Sequence, residues 1–479
     1  MKRVWPILLV VFFFSTVAGA QILSKTGWKL GPAAPSPFIA GNSVTDILVN
    51  GETVYLAGSG GLSRTTDGGQ TWEVFRHKDG LGRGDVSALA IYGNTIWVAT
   101  GFDTLTKDAG QLSAGGGLSY SSDGGKTWTH VPQPGATPVQ NITYDIAIQD
   151  STVWIASYGG GLRKSSDWGQ SWTPVAPDSF SFDTYAHLNH RAFSVISTGN
   201  VLWVGTAGGI NRSGDGGKTW VNFNHQNQEH SISGNFVVAL AHQEWNGRTI
   251  IWAATWPAVD STEFRAVSWT DDEGYTWHTT LAGQAAHNFA FDDSVVYVAT
   301  DSGLFKSVDG GQTWAHYPPI VDSQTGVPIL TSEVYAAGIS PGPVVWVGTG
   351  DGLARTQDNG RTWTVFRKYA ALQGRDEDKT YAYPNPFSPF RQNVLNGVGH
   401  VRLHYALTKP ATVSVEIFDF SMDPVRSLVS GKVRASAGEF DEIWDGTNDF
   451  GTPVANGVYF YRIERSGQKP LWGKILILN

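Results

Sequence analysis

The chain has 479 residues, a formal net charge of -8, 16% charged residues and no cysteine. That balance leaves no basic footprint for nucleic acid. The lack of thiols excludes disulfides and thiolate metal sites. With 57 glycines and 20 tryptophans, the composition suits many tight turns, each accompanied by a large ring.

In chain order, residues 1–20 read as a secretory signal: Lys2 and Arg3, an apolar run Ile7–Phe14, then Ala18-Gly19-Ala20 before Gln21. The apolar run is shorter than the roughly 20 residues a spanning helix needs, so no transmembrane segment is expected in the mature chain. Residues 21–42 form a lead-in. Between 43 and 367 one phrase, [ST]-x-D-[GWEN]-G-x-[ST]-W, occurs seven times: Thr65–Trp72, Ser121–Trp128, Ser165–Trp172, Ser213–Trp220, Thr270–Trp277, Ser307–Trp314 and Thr356–Trp363. Strand-like segments precede each copy. Second strands such as VYLAGSGGL (Val54), IWVAT (Ile96), LWVGTAGGI (Leu202) and VWVGTGDGL (Val345) alternate with period two. First strands align as VTDILV (Val44), VSALAI (Val86), TYDIAI (Thr143), AFSVIS (Ala192), VVALAH (Val237), HNFAFD (His287) and VYAAGI (Val334). Seven four-strand sets at a regular period predict an all-β, seven-bladed β-propeller.

Long inserts fall in connections from a fourth strand to the next first strand, and in two connections from second to third strands, Gly101–Gly116 and Trp256–Phe264. In an up-and-down blade both kinds emerge on one face, where function usually sits. The repeated phrase lies in turns on the opposite face. There Asp67, Asp123, Asp167, Asp215, Asp272, Asp309 and Asp358 are expected to accept backbone hydrogen bonds. Trp72, Trp128, Trp172, Trp220, Trp277, Trp314 and Trp363 are expected to bury their rings. Seven copies of one acid around a ring suit structure rather than catalysis.

The phrase resembles the Asp-box, or bacterial neuraminidase repeat, of sialidases, xyloglucan-type glycosidases, sortilin-like receptors and photosystem-assembly propellers. The resemblance implies the fold of residues 43–367, and its shared residues are the structural ones. The early Arg-Ile-Pro of sialidases is absent, and Arg76, Arg83, Arg191 and Arg265 do not fall at comparable positions on three blades. Xyloglucan-type enzymes usually carry two propellers, whereas one ring is expected here.

Residues 368–380 read as a polar linker, and 381–479 as a small immunoglobulin-like sandwich of short alternating strands. This tail is similar to the C-terminal sorting domain of type IX secretion cargo and to the FlgD-type Ig-like module. The matching pieces are YPNPFSP (Tyr383–Pro389), VRSL (Val425–Leu428), WDG (Trp444–Gly446), GTPVANGVYFYRI (Gly451–Ile463) and the terminal KILIL. It departs from them at Ser421–Pro424, where the family usually has a tighter glycine turn. The resemblance implies export across the outer membrane through secretion machinery that reads residues 381–479. The implied destination, reached through the periplasm, is secretion or retention on the outer cell surface.

Hydrolysis of a glycosidic bond takes two carboxyl groups about 5–9.5 Å apart. Candidates on the loop-rich face are Asp46, Asp85, Asp145, Asp183 and Glu333. Ligand-binding candidates are His187, His190, Arg191, Tyr185, His230 and Trp256. Phe182, Phe264 and Tyr317 are expected on the same loops, and His77, His225 and His287 on the same face. The His187–His190 spacing could hold a metal with a distant carboxylate, but loop packing is the commoner use, so no metal or other cofactor is expected. The sequence reads as a binding or scaffold propeller for a glycan or protein ligand. The alternative is a surface glycoside hydrolase acting on polysaccharide.

Overall fold

The computed structural model describes residues 35–107, 109–369 and 379–479. The expected leader and most of the expected linker lie outside the described residues. Seven four-stranded antiparallel sheets, each built from four consecutive strands, make a seven-bladed propeller, and a small β-sandwich follows. Blade three shows the plan, with strands Thr143–Gln149, Thr152–Ser157, Gly161–Ser165 and Thr173–Val175 running outward from the axis. The first strand of blade six starts at Ala286, one residue before the sequence alignment places it.

The repeated turn works the same way in every blade. In blade six, Asp309 Oδ1 accepts from Ser307 Oγ at 2.7 Å and Thr313 N at 2.9 Å, while Oδ2 accepts from Thr313 Oγ1 at 2.6 Å. The Ser307 hydroxyl in turn accepts from Gly311 N. The two residues after the Asp both have positive φ. Trp168, Glu273 and Asn359 tolerate the first position because φ there is 58–63°, within the left-handed well. The second position is always glycine, with φ of 79–91°. A Cβ there would strike an aromatic ring of the preceding blade: Trp97 from Gly169 at 2.8 Å, Trp154 from Gly217 at 2.6 Å, Trp252 from Gly311 at 2.5 Å.

These turns fasten neighbouring blades, and the same fastener closes the ring. Gly69 of blade one seats on Phe366 of blade seven, and Arg355 of blade seven donates to the Gly68 carbonyl. Val44, Ile47 and Trp72 bury against Ala336, Trp346 and Leu353 across the same seam. The closure therefore rests on side-chain packing rather than on a strand exchanged between first and last blades. Of the seven turn tryptophans, Trp72, Trp277 and Trp363 are buried, while Trp128, Trp172, Trp220 and Trp314 are half-buried, each capping an inter-blade seam.

The 101–116 insert is not a loop. Strands Thr95–Thr106 and Gly110–Ser121 continue pairing through it as a hairpin arm. Asp103 steadies the arm by accepting from Gln111 Nε2 and Ser113 Oγ, both at 2.9 Å.

In the sandwich, strands Thr380–Tyr383, Val401–Leu407 and Gly438–Trp444 face a sheet of Pro424–Arg434, Ala411–Phe418, Gly457–Arg465 and Leu471–Ile477. Trp444, Tyr405, Tyr461 and Phe387 fill the space between. At the departure noted in sequence, Asp419 Oδ1 accepts from Ser421 N and Asp423 N, both at 2.9 Å. Met422 takes φ of 67°, the conformation a glycine would supply.

An ion cluster joins the two domains. Asp351, in the second-to-third turn of blade seven, is buried between Arg367 (3.2 Å) and Arg402 of the sandwich. Burial opposes its charge, but Arg402 and Arg367 hold its carboxyl below the ordinary range. Both arginines also donate to the Pro328 carbonyl. Asp441 extends the cluster by accepting from Tyr369 Oη at 2.9 Å and binding His404 Nδ1 at 2.9 Å.

Candidate functional site

Every inner strand carries a bulge at the same register, near the loop-rich face. One residue per blade lacks a partner on the second strand: Thr45, Ser87, Tyr144, Phe193, Val238, His287 and Tyr335. A bulge re-aims its side chain and is common beside functional sites. Four of the seven are aromatic or imidazole groups, and Phe236 and Trp256 of blade five fill the gap between them. The rings form one arc from blade three to blade seven. Its centroid separations are 5.7 Å (Tyr144–Phe193), 4.5 Å (Phe193–Phe236), 6.3 Å (Phe236–Trp256), 5.6 Å (Trp256–His287) and 5.8 Å (His287–Tyr335). Trp256, expected from sequence, is in the arc. His287, a histidine expected on that face, is in the arc as well, and the other four are not among the residues singled out there. Their signal was the column after the first residue of each inner strand, which the one-residue offset in blade six obscured.

Below the arc lies a polar girdle. Asp145 Oδ2 accepts from Ser194 Oγ at 2.6 Å and Val195 N at 2.8 Å. Ser194 Oγ accepts from Leu240 N. Asp46 Oδ1 accepts from Ile47 N at 2.9 Å and Asn288 Nδ2 at 3.3 Å, and Asn288 Oδ1 accepts from Ala337 N. Burial pushes Asp145 up to about 7, with the Asp46 charge adding to the rise, and pushes Asp46 up to about 6. These two carboxyls share the channel: Asp145 joins blades three and four, and Asp46 reaches from blade one to Asn288 of blade six.

The remaining candidates have local tasks. Asp85 accepts from Gly60 N of blade one at 2.9 Å, and burial raises its carboxyl. Asp183 accepts from Ala186 N and Tyr185 N, which lower its carboxyl and fold its own loop. His190 is buried: its Nδ1 accepts from Asp183 N at 2.9 Å, so Nε2–H donates to Asp178 at 2.9 Å. His187 stacks on Phe180, and Phe182 on His190. Arg191 donates to the carbonyls of Thr184 and Tyr185 and lies over the Tyr158 ring. The HLNH segment is therefore a loop knot, and among the described residues no His, Asp and Glu cluster could hold a metal. Tyr185 is exposed on this loop, and His230 is exposed, its carbonyl accepting from Trp277 N. Tyr317 does not reach the loop-rich face. It packs between Tyr297 and Trp363, under the turn glycine Gly360. Glu333 accepts from Tyr335 Oη at 2.5 Å at the rim of the arc. In blade five, the buried Glu263 holds the 257–265 loop by accepting from Asn235 Nδ2 (2.9 Å), Asn235 N (3.2 Å) and Ala258 N (2.5 Å).

Comparison with known proteins agrees with this architecture. Residues 391–469 match the family model of the FlgD Ig-like domain. The chain resembles the GH74 enzyme of Niastella koreensis (TM-score 0.52, 14% identity, 94% of this chain and 74% of that one). It also resembles the GH74 xyloglucanase of Xanthomonas campestris (TM-score 0.51, 18% identity, 71% of this chain). The match spans 55% of that xyloglucanase's length. At these identities the likeness concerns the fold alone. No curated protein matches the chain in sequence.

Proposed function

We propose that the protein is an exported binding module whose Asp-box propeller holds a glycan across the aromatic arc. On this reading the C-terminal domain is a sorting-type module that directs the chain outward. The observation that carries the binding reading is the arc itself. Four rings delivered by one recurring bulge, with Phe236 between them and the buried Trp256 behind, line the channel mouth from blade three to blade seven, and ring faces there suit the apolar side of sugar rings. The elaborated loops and the hairpin arm of blade two wall the same mouth. The main alternative, a glycoside hydrolase, would rely on Asp46 and Asp145. One oxygen of each, Asp145 Oδ2 and Asp46 Oδ1, is engaged in joining blades, which favours binding over catalysis.

The test is a glycan array probed with the purified chain, scoring both retention and release of reducing sugar. Retention without release is expected. Phe193→Ala should weaken retention at least tenfold while leaving the circular dichroism spectrum unchanged. Release of reducing sugar that Asp145→Asn abolishes would instead establish the hydrolase.

A further inference from the structure

Away from the mouth, on the turn face, a cavity of about 250 Å³ lies in the seam between blades six and seven. That is less than the roughly 300–1,000 Å³ of drug-sized ligand sites, so its occupant must be small. Val295, Ile339, Pro343 and Val345 form the apolar walls, with Tyr297 beside them; Asp292, Lys306 and the 357–359 turn segment supply the polar ones.

The space exists because blade six departs from its siblings at three points. Five second strands carry tryptophan where blade six has Tyr297: Trp97, Trp154, Trp203, Trp252 and Trp346. In blades three and five, Gln149 and Gln243 donate to hairpin carbonyls of the next blade, Gly199 at 3.2 Å and Asp293 at 2.6 Å. At the matching position blade six has Asp292, whose carboxylate has no hydrogen to donate. The longer hairpin of blade five also lays Trp245 on the next turn, where a Cβ on Gly310 would be 2.5 Å from the indole. The hairpin of blade six, Ala286–Asp292 and Val295–Thr300, is too short to carry a counterpart of Trp245. The space that an indole plugs between blades five and six is therefore open in the next seam.

Opposite charges stand at the opening. Lys306 Nζ lies over the Tyr297 ring at 5.3 Å and donates to Asn359 Oδ1, which leaves two of its three N–H groups. Asp358 is spent within its own turn, on Thr356 and Thr362. Asp292 is exposed and makes no hydrogen bond or ion pair among the described residues. Burial lowers the Lys306 amine, and the nearby Asp292 charge offsets part of that fall.

We propose that this cavity binds a free aromatic α-amino acid, independently of the mouth. The ring would lie against Val295, Ile339 and Val345, with the carboxylate at Lys306 and the ammonium at Asp292. Titration calorimetry on the full chain tests this with L-tryptophan, L-alanine and N-acetyl-L-tryptophanamide, which keeps the indole but lacks both charges. Tryptophan should bind at least tenfold more tightly than either of the others. Asp292→Asn should erase most of the margin over the amide. Tyr297→Trp, which restores the indole column, should abolish binding while the unfolding midpoint is kept. Equal or tighter binding of the amide overturns the assignment, in favour of an aromatic side chain on a partner polypeptide. Alanine binding as tightly, tryptophan binding unchanged in both variants, or no binding of tryptophan also overturns it.

Discussion

The two faces of the propeller use the same side chain, aspartate, in opposite ways. On the turn face the carboxylates of the repeat are exposed or half-buried and surrounded by donors. Side-chain hydroxyls and backbone N–H groups hold Asp167, Asp309 and Asp358 down to about 2. At the mouth, Asp145 and Asp46 lie in a narrow channel, and burial outweighs their hydrogen bonds. At the edge of that same face, Asp351 is just as buried, yet two arginines keep it charged. The lesson is that an aspartate's role here is set by what its neighbours donate. Where donors converge in the open turn the carboxyl stays low, and where burial outweighs them it rises.

Three experiments would break or sharpen this contrast. The largest effect is expected from Arg402→Met, which leaves Asp351 buried with only Arg367 as its cation. Breaking a buried pair costs about 3–5 kcal/mol, so the midpoint of denaturant unfolding should fall strongly. Small-angle scattering should also show the sandwich released from blade seven. A native-like midpoint would mean that packing alone joins the domains. Next is Gly311→Ala on the turn face. Its Cβ would lie 2.5 Å from the Trp252 ring at a φ of 89°. Strain and overpacking together come to roughly 3 kcal/mol. Asn359→Gly, at the tolerant first position, should change stability little by comparison.

The third and smallest effect is a pH profile. The turn carboxylates have folded-state values below their unfolded ones, so their stabilisation is present above about pH 4 and fades as pH falls towards 2. Asp46 and Asp145 have raised values, so their contribution is complete below about pH 4 and is lost as pH rises through 6 and 7. Stability measured by chemical denaturation should therefore peak between about pH 4 and 6. In Asp145→Asn the decline on the alkaline side should shrink. A profile flat from pH 5 to 8 would show that the channel carboxyls ionise freely.

Much of this was legible in the sequence because it is local. The turn phrase names its own hydrogen bonds: the hydroxyl, the Asp two residues later and the hydroxyl four residues beyond that all meet within one turn. Repetition then fixed the number of blades, and the change of texture after Trp363 marked the sandwich. The site was less legible. His187, His190 and Arg191 looked like a binding cluster because they are adjacent in sequence, but adjacency brought them together only to knot their own loop. The arc joins residues from blades three to seven that are up to 191 positions apart, from Tyr144 to Tyr335. Only closure of the ring sets them side by side.

By itself, then, the sequence determined the repeating fastener and the all-β architecture, since both follow from contacts within a dozen residues. The bulge that re-aims one side chain per blade, the joining of Asp351 to Arg402 and the aromatic arc were decided by tertiary structure. Each depends on distances across blades or domains that no local spacing encodes.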